Sequence, residues 1–151
     1  MLAAVLRVAV VVVATSLVFP VFARATAPSP STSVLEGTTW KLVSVAGKPA
    51  VALPEGRYAK LAFAGDGRYA ASAGCNSMGG TWKQTGNDLQ FTLGPTTMMA
   101  CGDPIATQEQ DLMEALGATR QFRIKKVKRV DRLELIAEGK VLAVFEAVET
   151  E

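Results

Sequence analysis

Downstream of residue 38 apolar and polar residues mostly alternate with a period of two, the period of half-buried strands. TWKLVSV (39–45) puts Trp40 and Leu42 on one face. In AKLAFAGDGRYAASA (59–73), Leu61 and Phe63 share a face, as do Tyr69, Ala71 and Ala73, and Asp66-Gly67 is expected to supply the positive φ angles of a tight turn. TWKQTGNDLQFTL (81–93) repeats the device around Gly86-Asn87, with Leu89, Phe91 and Leu93 together. RLELIA (132–137) and KVLAVFEAV (140–148) flank a further turn at Glu138-Gly139. The period changes once. In DPIATQEQDLMEALG (103–117), Ile105, Leu112, Met113 and Leu116 form a helical stripe, with Glu109, Asp111 and Glu114 largely opposite. Asp103 is the expected N-cap, Pro104 the first helical residue, and Gly117 is placed to end the helix. The expected class is α+β and mainly antiparallel: a barrel-like curled sheet, with one amphipathic helix inserted before the last three strands.

The N-terminus follows another pattern. One basic residue in MLAAVLR precedes the apolar run VAVVVVATSLVFPVF (8–22), and Ala23-Arg24-Ala25 then offers small residues at the two positions a signal peptidase reads. Residues 1–25 are therefore expected to be a signal peptide cleaved after Ala25, with Ala27 as the alternative point. The rival is an uncleaved membrane anchor, but the run is shorter than the ~20 residues a spanning helix needs, and Pro20 interrupts it. Pro, Ser and Thr dominate the next stretch, so 26–36 reads as a disordered linker, 37–148 as the folded domain and 149–151 as a tail. The expected setting is the periplasm or the exterior. Arg7 and Arg24 leave with the leader, so 14 basic and 14 acidic residues remain and the mature chain carries no net charge.

Export bears on the two cysteines. Cys75 sits in SAGCNSMGGTW (72–82) and Cys101 just ahead of the helix. An even count in an oxidising compartment favours a disulfide, whose 26-residue separation would contribute roughly 3–4 kcal/mol by the chain-entropy estimate. Buried free thiols and a catalytic Cys75 are the alternatives. The chain has no histidine, which removes the commonest base for a thiolate and leaves too few ligands for a four-coordinate zinc site. Gly74, Gly79 and Gly80 let the backbone turn at a bridge, and Asn76 tolerates a left-handed or capping position.

Gly37-x-x-Trp40-x-Leu42, Gly74-Cys75-Asn76 with Gly80 and Trp82, Thr97-x-Met99-Ala100-Cys101, Gln108-Glu109 before Ala115-Leu116, and Leu133-x-Leu135 together resemble the META/HslJ domain family over about 110 residues. Met98 stands where the family often has a basic residue, and Trp82 where tyrosine is commoner. The resemblance implies a small β-rich barrel-like fold with one helix. It also implies an envelope or secreted setting with links to heat shock and antibiotic tolerance, and no reaction.

Three features remain. RQFRIKKVKRVDR (120–132) holds seven basic residues and one acidic one. Arg123, Lys125, Lys126, Lys128 and Arg129 could form an anion-binding patch for a peripheral membrane contact. The favoured reading is a solvated hairpin face with Phe122, Ile124, Val127 and Val130 turned inward, its charges protecting a sheet edge. Export argues against nucleic acid. Met78, Met98 and Met99 flank the cysteines and are expected to fill irregular core space rather than to serve as oxidation targets or copper ligands. Neither Glu109 with Glu114 nor Asp131 with Glu134 suggests a catalytic carboxylate pair, and a solvated surface explains them. The expected function is a monomeric, non-enzymatic envelope module without metal or cofactor, binding a small apolar ligand or an envelope protein. The alternatives are a thiol-dependent or hydrolase-like enzyme using Cys75 and a purely structural adaptor.

Overall fold

The computed structural model describes residues 33–148. The expected signal peptide, its cleavage points, most of the linker and the tail 149–151 lie outside the described residues. Nine antiparallel strands form one sheet: β1 Thr39–Val45, β2 Lys48–Pro49, β3 Lys60–Phe63, β4 Arg68–Ser72, β5 Ser77–Thr85, β6 Asp88–Thr96, β7 Gln121–Val127, β8 Val130–Ala137 and β9 Lys140–Ala147. The helix α1, Ile105–Ala118, stands between β6 and β7. Pairing of β1 with β9, from Trp40↔Ala147 to Val45↔Ala143, curls the sheet into a ring. On the other side, β6 and β7 meet at one register pair, Asp88↔Gln121, flanked by the bonds Phe122 N–H to Asn87 O and Leu89 N–H to Arg120 O, both 3.0 Å.

Alternation fills the ring. Trp40, Leu42, Leu61, Phe63, Tyr69, Ala71, Leu89, Phe91, Leu133, Leu135, Ala143 and Phe145 all point inward and are buried. A bulge between Leu42 and Ser44 shifts the phase of β1, so that Val45 rather than Ser44 joins them. Phe63 packs edge-on against Trp82 with centroids 5.0 Å apart, and Tyr69 edge-on against Phe91 at 5.1 Å. Leu112 and Leu116 carry the apolar stripe of α1 into one end of the ring. Leu35, fully buried, fills the other end, where Gly37 N–H bonds Phe63 O at 2.9 Å. The fold thus begins before the expected Gly37.

Several local expectations are corrected. Only Gly67 of the Asp66-Gly67 pair has positive φ, at 76°, because Ala64 N–H bonds Arg68 O and closes a three-residue rather than a two-residue turn. Asp103 does not cap α1. Its carboxylate accepts from the Thr107 hydroxyl at 2.8 Å, Pro104 occupies the cap position, and Ile105 and Ala106 donate to Gly102 O. Gly117 does not stop the helix; Thr119 does, its hydroxyl bonding Ala115 O at 2.6 Å. Leu93 is 45% exposed, because the β5–β6 register slips between Met78 and Gly80 and β6 leaves the core there. Of the hairpin residues expected inside, only Phe122 is. Ile124 and Val130 are 37% and 41% exposed, and Val127 faces Val130 at a turn that projects past the ring.

Candidate functional site

The glycine-flanked cysteine lies where β4 hands over to β5, at the end of the ring that α1 fills. Cys75 and Cys101 are bonded, with their α-carbons 6.2 Å apart. Gly74 reaches this corner with φ 126°, and a Cβ on it would stand 2.6 Å from Leu53 Cδ2, so no other residue fits without displacement. The next residue, Asn76, is the hub. Its backbone N–H donates to Glu109 Oε2 at 2.9 Å, and Nδ2 donates to Glu109 Oε1 at 2.8 Å and to Met99 O at 3.1 Å. Oδ1 accepts from the Thr97 hydroxyl at 2.9 Å and from Met99 N–H at 2.8 Å. Asn76 Nδ2 also lies 3.3 Å from Cys101 Sγ. One helical turn supplies a second clamp: buried Gln108 accepts from Val51 N–H at 2.7 Å and donates to Ala73 O at 2.8 Å.

Gly74, Cys75, Asn76, Thr97, Met99 and Cys101 therefore meet at one place, although they come from two segments of the chain. Gly80 and Trp40 stand apart. Gly80 lies on β5, where a Cβ would press 2.1 Å from Thr92 O and 2.8 Å from the Tyr69 ring. Trp40 lies on β1 and donates from Nε1 to the Thr38 hydroxyl at 2.7 Å. Glu109 is a correction: expected on a solvated surface, it closes the polar corner. Its signal was the Gln108-Glu109 pair, whose partners lie 35 and 33 residues away and cannot be read from spacing. The methionines divide. Met78 is buried, but Met98 is 92% exposed and Met99 more than half exposed, because Asn76 holds the backbone of the 97–99 loop and leaves those side chains outside. Tyr69 keeps a buried hydroxyl without a partner among the described residues, and burial pushes its pKa up.

The basic stretch forms the β7–β8 hairpin at the opposite end. Arg123 Nε and Lys125 Nζ both reach Glu134, at 2.8 and 3.2 Å, Lys126 pairs Asp131 at 3.5 Å, and Arg132 pairs Glu146 at 2.8 Å. Burial alone would raise the pKa of Glu134; hydrogen bonds from Arg123 and Lys125 outweigh it and hold the carboxyl below its ordinary range. Lys128, at φ 59°, and Arg129 form the turn and have no ion pair among the described residues. Beside the hairpin lies a recess of about 710 Å³, bordered by Val34, Gln84, Asn87, Phe122, Ile124 and Ile136. Among the described residues no cluster of three or more potential metal ligands occurs, and no helix is long and apolar enough to cross a membrane.

Solved structures share this architecture. An NMR structure of a protein from Burkholderia xenovorans superposes with a TM-score of 0.62 at 24% identity, covering 83% of this chain and 94% of that one. A crystal structure of a DUF4847 family protein from Bacteroides vulgatus gives a TM-score of 0.55 at 17% identity, covering 78% and 96%. At these identities the likeness is one of fold. No curated protein matches the chain. The META domain model, however, matches residues 33–149, a span that holds the ring, its helix and the bridged corner, and the chain belongs to the META domain family.

Proposed function

We propose that this META domain protein is a non-catalytic binding module that works outside the cytosol, in the envelope or secreted, in a stress- or antibiotic-tolerance role of the kind its HslJ-like sequence implies. The observation that carries the reading is the recess of about 710 Å³ at the end of the ring away from α1, where Val34 and Ile124 leave apolar surface beside a cationic hairpin. The groups at the other end that could suggest chemistry are committed to each other: the Cys75 sulfur to Cys101, the Asn76 amide and Glu109 carboxylate to one bidentate pair. A thiol enzyme would need Cys75 reduced, and this chain has no histidine to serve as its base.

The test is thermal unfolding of the oxidised protein against a panel of lipids, apolar antibiotics and extended peptides. A ligand present at a hundred times its Kd should add about 2.7 kcal/mol and raise Tm by several degrees. No shift anywhere in the panel, together with alkylation of one fast-reacting thiol in the native exported protein, would overturn the binding reading in favour of the enzyme.

A further inference from the structure

The hairpin that flanks the recess has an unfinished strand edge. β7 keeps one register against β8 from Gln121↔Ile136 to Val127↔Val130. Phe122 N–H points away from β8, since it donates to Asn87 O at 3.0 Å. Backbone groups of alternate residues point the same way, so the N–H and C=O of Ile124 and Lys126 also face away from β8. β6 begins at Asp88, opposite Gln121, and the chain turns back at Gly86-Asn87, so among the described residues no strand stands beside Ile124 or Lys126. Among the described residues those backbone groups have no hydrogen-bond partner.

We propose that this side of β7 is a docking edge for an extended, acidic segment of another protein, which adds to the sheet as a further strand. The proposal rests on the binding-module reading and names its partner class. Main-chain bonds to Ile124 and Lys126 supply the register, and an aliphatic side chain of the guest enters the recess between Val34 and Ile124. Charge selects the guest. Lys128 and Arg129 have no acidic partner among the described residues, and Lys126 is held only at 3.5 Å by an exposed Asp131. A carboxylate on the guest therefore meets cations that intramolecular pairs do not satisfy. The same charges disfavour a second copy of this chain, since antiparallel pairing of β7 with β7 would set one strand rich in Arg and Lys against another. An anionic membrane surface fits less well, because Arg123 and Lys125 are already turned onto Glu134.

The experiment uses the oxidised full chain and a labelled octapeptide of alternating valine and glutamate. It also uses the same peptide with alternate amides N-methylated and a version with lysine for glutamate. The unmodified acidic peptide should bind in a salt-dependent way and protect the amides of Ile124 and Lys126 from hydrogen exchange. Methylation and charge reversal should each abolish binding. Ile124→Pro removes an N–H that the fold does not use, so it should keep the native circular dichroism and Tm while losing the peptide. Lys128→Glu with Arg129→Glu, in the exposed turn, should weaken binding by about tenfold or more. Absence of acidic-peptide binding, its survival in Ile124→Pro, equal binding of the methylated peptide, dimerisation through the edge in sedimentation, or binding only to phosphatidylglycerol vesicles would each overturn the proposal. A thermal shift with a lipid or antibiotic, alongside no binding of the acidic peptide, would sink the docking edge alone and keep the binding module. Silence in both experiments would sink both.

Discussion

Asn76 shows how much one side chain decides. Its amide is both donor and acceptor, and the site needs both: Glu109 accepts from it while Thr97 and Met99 N–H donate to it. Asn76→Asp replaces a donor with an acceptor that faces Glu109 Oε1 across 2.8 Å. We expect a loss of about 3–5 kcal/mol at neutral pH in urea unfolding, the cost of leaving a buried charge uncompensated. The repulsion needs both carboxylates charged, so the loss should shrink as pH falls and one carboxyl takes a proton. A loss that is the same at pH 4 and pH 7 would show that Glu109 is not the partner that matters. Of this corner, the sequence disclosed the cysteines and the need for glycine, because both follow from residue type alone. The role of Glu109 was hidden, since a carboxylate on the polar side of a helix pattern looks solvated until the fold brings the β4–β5 corner onto it. Met98 and Met99 were misjudged for the same reason: proximity to a cysteine in the chain says nothing about which way the loop turns its side chains.

Among the elements, strands with one buried face were legible, although their ends differ by up to four residues, as where β5 starts at Ser77 ahead of the expected Thr81. β1 spans Thr39–Val45 as its alternation suggests, and the turns at Gly86-Asn87 and Glu138-Gly139 join the strands expected. The β7–β8 hairpin was not, since its alternation continues after the core has ended. Ile124 keeps the phase of Phe122 yet lies beyond the rim, where nothing from β6 covers it. Outside the core, charge organises this hairpin. Glu134 binds Arg123 and Lys125, and its pKa lies below the unfolded value. Its stabilisation is therefore complete above the unfolded carboxylate range near ~4.3 and is lost as pH falls through the lower folded value. Glu134→Gln should unfold at lower urea concentration than wild type at pH 7, and the two midpoints should converge near pH 2. A gap that persists undiminished at pH 2 would assign the effect to packing instead of charge.

At the level of the molecule, the ring is closed unequally. β1 and β9 pair over most of their length, whereas β6 and β7 share one pair, and α1 lies in the connection that runs from Thr96 to Gln121. The class and the element order followed from the change of period at residue 103. Where the ring is weakly sewn could not, because register across a helical connection leaves no mark in local pattern. The bond between Cys75 and Cys101 steadies this side by tying the start of β5 to the approach to α1. Cys75→Ser and Cys101→Ser should each cost roughly 3–4 kcal/mol under oxidising conditions, and the double variant little more than either single, since all three remove the same link. Unequal single losses in calorimetry would mean that one sulfur has a task of its own. The covalent loop also encloses both β5 and β6 with the exposed tip at Gly86-Asn87 between them. A protease in the surroundings that cuts this tip would leave a nicked protein in two fragments that still travel as one molecule, separating only when a reductant is met.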